Sequence, residues 1–186
     1  EIIQALCTKV IREGKAFVDD TPVETLRAEK KLGKNSRWRD ASVEENLRKW
    51  AEMRRGSVEG LRCVVRMKIS MQNPNFTLKD PVIYRCINTP HPRLGNKYVV
   101  YPMYDFACPI VDSIEGVTHP LRTSEYRDRI PQYYWMIKAL GLRKPYIYEY
   151  SRLVMHNTLM SKRKLKWCVE NGYVSGWDDP RMPTVR

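Results

Sequence analysis

The chain has 186 residues, 42% hydrophobic and 29% charged, with 33 Lys and Arg against 21 Asp and Glu for a formal net charge of +12. That length gives one domain or one and a half. No apolar run approaches the roughly eighteen residues of a membrane span and no signal peptide opens the chain, so a polyanionic partner is expected, nucleic acid ahead of membrane.

Ile2, Ile3, Leu6, Cys7 and Val10 share a helical face that Gly14 ends. KAFVDD (15–20) reads as a short strand. In TPVETLRAEKKLG, Thr21 is the expected N-cap, Pro22 the first helical residue, Glu24 the capping-box partner and Gly33 the stop. SVEENLRKWAEMRRG repeats the pattern with Ser42, Glu45 and Gly56. In LRCVVRMKIS, Leu61, Cys63, Val65, Met67 and Ile69 alternate with Arg62, Val64, Arg66, Lys68 and Ser70, which predicts a strand with one apolar and one largely basic face. Residues 27–68 hold thirteen cations against six anions, net +7, and read as a small basic α+β subdomain running to about Tyr98.

The pattern then changes. KYVVYPM is a continuous apolar run, as in a strand buried on both faces. DFACPIVDSIEG starts a helix, VTHPLRT is a second strand, and SEYRDRIPQYYWMIKALG is a helix from Ser124 to near Gly141 that Pro131 must kink or restart. PYIYEYSRL is a third strand, and SKRKLKWCVENG a last helix, capped by Ser161 and ended at Gly172. Strand, helix, strand, helix, strand is the order of a parallel α/β sheet. The chain opens inside a helical pattern without a methionine and stops at PTVR, so it reads as a piece of something longer.

Parallel sheets bind ligands at the carboxyl ends of their strands. Those ends carry Tyr101, Tyr104 and Asp105, then Leu121, Arg122 and Thr123, then Ser151, Arg152 and Leu153. A single Tyr or Arg there is as well explained by structural hydrogen bonding; three polar clusters at successive ends favour a site. The chain has no GxGxxG or Walker loop, and His91, His119 and His156 give no metal spacing. His119 reads as a core histidine and His91 as a loop residue. Five cysteines, an odd number without CxxC spacing, argue against a disulfide framework or zinc knuckle and for reduced, mostly buried thiols. The run Lys162, Arg163, Lys164, Lys166 fits a solvated surface, an import address or a phosphate-gripping loop. Its place after a strand and beside a helix start favours the last.

LMSKR (159–163) resembles the KMSKS loop of class I aminoacyl-tRNA synthetases, with Leu159 in place of the first lysine. GKAFVDDTP, YPMYDFACPIVDSIEGVTHPLRTSEY, YEYSRL, MSKRKL and GWDDPRMPTVR are similar to the glutamyl- and glutaminyl-tRNA synthetase group, closest to its eukaryotic-type glutamyl branch. The resemblance covers nearly the whole chain. It implies an α/β fold: the second half of a split Rossmann-like catalytic domain with an inserted α+β acceptor-stem-binding subdomain. Residues 1–19 would end the first half, 20–97 form the insert, 98–153 the second half, and 154–186 the KMSKS-type loop and the start of a helical stem-contact subdomain. The family's HIGH signature would precede residue 1, and an anticodon-binding region would follow residue 186.

The implied activity is a cytoplasmic, ATP-dependent ligase that activates L-glutamate as an adenylate and transfers it to tRNA(Glu). ATP enters with Mg2+, without a dedicated protein metal site, and other synthetases in a complex are possible partners. Lys162 is the implied catalytic charge. Thr123, Arg152, Leu153, Met160, Ser161, Lys162 and Arg163 are implied at ATP, and Tyr104, Arg122 and Tyr126 at the amino acid. Arg62, Arg66 and Lys68 on the basic strand face are expected at tRNA. The glutamyl branch resembles this chain in having arginine at 122, where the glutaminyl branch has cysteine. The alternatives are a glutaminyl enzyme or a non-catalytic basic RNA-binding fragment. Alone, the piece is expected to be inactive and, with an uncovered sheet edge, marginal in solution.

Overall fold

In the computed structural model, which describes residues 1–184, helix α1 (Ile2–Arg12) buries Cys7, Val10 and Ile11 along one face. Gly14, at φ 66°, takes the left-handed turn that leads into strand β1 (Ala16–Asp19). Helix α2 (Val23–Leu32) starts differently from the expected capping box. Pro22 occupies the cap position without a side-chain bond. Thr21 is engaged elsewhere: its N–H donates to Asp19 Oδ1 at 2.9 Å and its hydroxyl lies 3.5 Å from Ser36 Oγ. Helix α3 (Val43–Arg55) is capped as expected on one side, with Ser42 Oγ accepting from the Glu45 N–H at 3.2 Å. The Glu45 carboxylate binds Arg48 rather than returning to the cap.

Strands β1, β2 (Val64–Met67), β3 (Val82–Cys86) and β4 (Val100–Pro102) form one sheet in that order, antiparallel throughout. Ala16 faces Met67, Asp19 faces Val64, and Tyr84 faces Pro102. The expected parallel strand at KYVVYPM is therefore corrected. Residues 87–99 return the chain beside β3, and an antiparallel neighbour needs only such a loop, whereas a parallel one needs a full crossover. Helix α4 (Tyr104–Ile114), strand β5 (Leu121–Thr123), a 3-10 segment Ser124–Arg129 and helix α5 (Ile130–Leu140) follow. Pro131 lies in the first turn of α5, so it restarts the helix. β5 pairs with β6 (Tyr148–Tyr150) in a separate two-stranded sheet. His119 is exposed in a bend before β5, its ring 5.7 Å from that of Tyr146, and is not a core residue. All five cysteines are free thiols, three of them buried.

Up to Glu149 the chain is one compact unit, and Tyr150 onward is a second. The first unit's core gathers Cys7, Val10 and Ile11 of α1, Trp50 and Met53 of α3, Val65 and Ile83 of the sheet, Phe106 and Ile110 of α4, and Met136 and Leu140 of α5. Trp50, Tyr84 and Phe106 meet edge-to-face at 5.1 and 6.0 Å, tying α3, β3 and α4 together. The boundaries expected near 19 and 97 fall between strands of this single sheet. In the second unit, helix α6 (Lys162–Glu170) packs Leu165 and Cys168 against Val174 and Met182. The expected segment 154–186 ends on Val185 and Arg186, which lie outside the described residues. No helix among the described residues is long and apolar enough to cross a membrane.

The alternation across β2 is not the expected apolar and basic pair of faces. Arg62 lies before the strand in a 3-10 turn (Gly60–Arg62), where it is exposed. Arg66 has no exposed surface. Its Nη1 donates to Asp19 at 2.6 Å, its Nε to the Asp80 carbonyl at 2.9 Å, and its guanidinium lies 5.2 Å from the Phe17 ring centroid. Asp80, itself buried, accepts from Arg39 Nε at 2.7 Å and from the Ile69 N–H at 2.8 Å. The sheet's second face thus carries a charged network at Arg66, because Met71 and Asp80 of the 68–81 segment reach over it. Lys68 reaches outward to Asp40 at 2.7 Å.

Candidate active site

Tyr104, Cys108 and Asp112 recur at intervals of four on α4 and share one face of that helix. The stripe Phe106, Pro109, Ile110 and Ser113 is buried, which turns the other face towards β5 and α5. β5 delivers Arg122 onto it. Arg122 Nη2 donates to Asp112 Oδ2 at 2.8 Å and contacts Cys108 Sγ at 2.5 Å, while Nη1 donates to the Leu121 carbonyl at 3.1 Å. From α5, the Tyr133 hydroxyl donates to the same Asp112 oxygen at 3.0 Å. Tyr126 closes the group, with its ring 5.6 Å from the guanidinium and edge-to-face with Tyr104 at 6.4 Å. The Arg122 side chain is 15% exposed, and the Tyr104 residue is 59% exposed at the rim.

Charge states follow from this packing. Burial pushes the Tyr126 phenol up, and the nearby Asp105 carboxylate adds to it. Burial and Asp112 do the same to Tyr133, and burial chiefly raises the Cys108 thiol. All three stay protonated at neutral pH. Burial works against the charge on Arg122, but the Asp112 carboxylate 2.8 Å away, charged at neutral pH where Cys108 and Tyr104 are not, offsets it. Arg122 Nε and the Tyr126 hydroxyl are buried without a protein hydrogen-bond partner. Two such groups beside a fixed cation suit a ligand carrying acceptor oxygens.

The structure brings Tyr104, Arg122 and Tyr126 into one cluster, with Thr123 next in β5. Neither Glu125 nor Asp128, the acids nearest Arg122 in sequence, is its partner in this ion pair; Asp112 is. Sequence reasoning missed Cys108, Asp112 and Tyr133. The four-residue spacing from Tyr104 was the available signal, and it needed the position of β5 to acquire meaning.

Arg152, Leu153, Met160, Ser161, Lys162 and Arg163 belong to the second unit. Arg152 and Leu153 are exposed in an irregular stretch. Ser161 precedes α6 at the cap position, but its side chain makes no cap bond. The first turn of α6 has no acid and carries the exposed Lys162, Arg163 and Lys164. Leu159 packs against the small core of Leu165, Cys168, Val174 and Met182, and its N–H donates to the Pro183 carbonyl at 2.6 Å. An apolar side chain therefore serves there where a lysine would not.

A family model described as the catalytic domain of class I tRNA synthetases (E and Q) matches residues 1–186. The chain belongs to this family. As a class I synthetase catalytic domain it is α/β, built from sheets and helices. It is 60% identical to the bifunctional glutamate/proline–tRNA ligase of Cricetulus griseus over 186 residues, all of this chain and 12% of that protein. It is 56% identical to the probable cytoplasmic glutamate–tRNA ligase of Schizosaccharomyces pombe, across all of this chain and 26% of that protein. A crystal structure of glutamate-tRNA synthetase from Elizabethkingia anophelis aligns with 89% of this chain and 36% of that one at 20% identity, with a TM-score of 0.47. The chain thus spans between about an eighth and a quarter of the length of these two curated relatives.

Proposed function

We propose that this class I synthetase chain is a segment of a glutamate–tRNA ligase that forms glutamyl-adenylate from glutamate and ATP and passes the acyl group to tRNA(Glu). The observation that carries this is Arg122, a partly buried cation fixed by Asp112 and lined by Tyr104 and Tyr126. Its Nε–H, buried without a protein partner beside the fixed positive charge, is the donor offered to a γ-carboxylate. The glutamate α-carboxylate attacks the α-phosphorus of ATP and pyrophosphate leaves; the terminal ribose hydroxyl of tRNA then attacks the mixed anhydride and AMP leaves. Positioning and charge stabilisation carry such chemistry. Lys162, at the start of α6, supplies positive charge to the phosphates, with Met160, Ser161 and Arg163 completing a loop that closes on ATP. Thr123, Arg152 and Leu153 are assigned to the nucleotide.

Mg2+ accompanies ATP as counter-charge for its phosphates. Phosphate oxygens and water suit it as ligands. We assign 1–19 to the end of the first half of a split nucleotide-binding fold, 20–97 to an inserted acceptor-stem subdomain, 98–153 to the second half, and 154–186 to the KMSKS-type loop and stem-contact region. Arg62 and Lys68, which flank β2, are assigned to tRNA contact; Arg66 is buried against Asp19 and does not reach solvent. Relatives named as cytoplasmic favour a cytoplasmic parent, and a bifunctional relative favours association with another synthetase.

Pyrophosphate exchange by the full-length parent, with glutamate and glutamine in turn, tests the proposal. Glutamate-dependent exchange that Arg122→Cys abolishes is expected. Exchange with glutamine alone, or none with either amino acid, would overturn it.

A further inference from the structure

Resting on the glutamate site proposed above, we propose that Asp112 is a positioning residue for substrate choice: with Tyr133, it fixes the rotamer of Arg122 and so sets which amino acid the site accepts. Asp112 Oδ2 receives three donors, Arg122 Nη2 at 2.8 Å, the Tyr133 hydroxyl at 3.0 Å and, more weakly, the Cys108 thiol at 3.6 Å. The carboxylate and the guanidinium are each 15% exposed. Asp112 lies on α4, Arg122 on β5 and Tyr133 on α5, so the bond network locks three elements at one point.

An arginine side chain has four rotatable torsions, and holding it in one geometry costs entropy that a fixed partner removes in advance. Asp112 takes Nη2 and the Leu121 carbonyl takes one Nη1 hydrogen. Cys108 Sγ also takes Nη2, so Nε–H, which is buried without a protein partner, is left for a ligand. The network therefore decides which part of the guanidinium fork meets the substrate. Tyr133 sharpens this by placing a donor against Asp112, which leaves the carboxylate bound from two sides and unable to swing away. Cys108 Sγ, 3.6 Å from the same oxygen, fills the remaining approach.

Asp112→Asn keeps the size of the side chain and removes its charge, and its amide can present N–H2 to Arg122. Tyr133→Phe removes one hydrogen bond and leaves the ion pair. In the full-length parent, Asp112→Asn is expected to raise the glutamate KM and to lower kcat/KM for glutamate by about 10- to 100-fold, as loss of a supporting hydrogen-bond partner does elsewhere. The ratio of glutamine to glutamate use should rise, and the KM for ATP should hold. Tyr133→Phe should move the same quantities the same way by a smaller factor. A purely structural role would lower the melting temperature and the yield of active enzyme while leaving the glutamine-to-glutamate ratio and both KM values unchanged, and that result would overturn the assignment. If wild-type parent gives no glutamate-dependent exchange, the proposed glutamate site fails. If Arg122→Cys abolishes exchange while Asp112→Asn and Tyr133→Phe leave the ratio untouched, the inference about Asp112 alone fails.

Discussion

Glutamate and glutamine have nearly the same shape, so a site that separates them must do so by charge and hydrogen bonding. At the residue scale that burden falls on Arg122. Its guanidinium is held cationic and is paired with Asp112 at 2.8 Å. A γ-amide would set N–H2 against those donors and leave part of the arginine unpaired. Truncating one partner of such a pair costs roughly 2–5 kcal/mol, about 30-fold to several thousandfold in kcat/KM. Arg122→Cys in the parent should lose glutamate exchange by that order while the relative use of glutamine rises; unchanged glutamate kinetics would remove Arg122 from the site. A different residue gives a pH-dependent expectation. Lys30 is pushed down to about 8 by burial and by repulsion from Arg66, with Asp80 offsetting part of it. Between pH 8 and its ordinary 10.5, the unfolded chain holds a proton that the folded chain has lost, so this group's contribution to stability rises with pH through that window. Below pH 8 the full penalty of charging it in the fold is present. Lys30→Met, which removes the ammonium and keeps an unbranched side chain, should stabilise the chain at pH 7, and the gain should shrink as pH rises past 8. Urea denaturation of both proteins at pH 7, 9 and 10 checks this; an advantage that grows with pH would contradict it. Arg122 and Tyr104 were legible in the sequence because each ends or follows a readable strand. Asp112 was not, because an acid in mid-helix looks like any solvated charge until a neighbouring strand lays a cation on it.

Among the elements, β2 shows where periodicity stops being informative. Period two in LRCVVRMKIS correctly places Val65 and Met67 in the core. It cannot say whether the other face meets water, and here Met71 and Asp80 of the 68–81 segment reach over Arg66. Burial of Arg66 is tolerable because Asp19, the Asp80 carbonyl and Met71 Sδ meet its donors. Arg66→Ala would leave Asp19 as a buried carboxylate that keeps the Thr21 N–H donor but has lost its cation. A cost of about 3–5 kcal/mol is expected. The double variant Asp19→Asn, Arg66→Met removes both charges and should lose less than Arg66→Ala alone. Thermal melts of the wild type and both variants make the comparison; a loss under about 1 kcal/mol for Arg66→Ala would place the pair with ordinary surface ion pairs. Capping was legible where the cap residue had no competing partner. Ser42 caps α3, while Thr21, drawn to Asp19 and Ser36, does not cap α2. Strand direction was the weakest part of the sequence reading. The run at β4 is short and apolar whichever neighbour it takes, and its antiparallel place beside β3 is set by the loop 87–99 rather than by its own residues.

For the whole molecule, the distribution of buried apolar groups predicts how the chain comes apart. The large core draws on α1, α3, α4, α5 and β1 to β4, with its members between Cys7 and Leu140, and all lie in the first unit. The second core consists of Leu165, Cys168, Val174 and Met182, with Leu159 and Val169 against it. No core cluster among the described residues draws on both units. Residues 151–157 are exposed and without regular structure, and they include Arg152. A folding unit below about 40 residues without a disulfide or metal seldom stands alone, so the second unit should lose its structure once separated. The first unit should keep its own, against the expectation that an uncovered sheet edge makes the piece marginal: Ala16, Phe17, Val18 and Asp19 of edge strand β1 are all buried. Brief trypsin treatment should therefore cut early after Arg152 and leave a large fragment that resists further cleavage. A chain ending at Glu149 should retain a single cooperative thermal transition close to the main transition of residues 1–186, while a peptide of residues 150–186 should show the circular dichroism of an unfolded chain. Loss of cooperative melting on truncation at Glu149 would mean that the second unit contributes to the stability of the first, and that the large core is not self-sufficient.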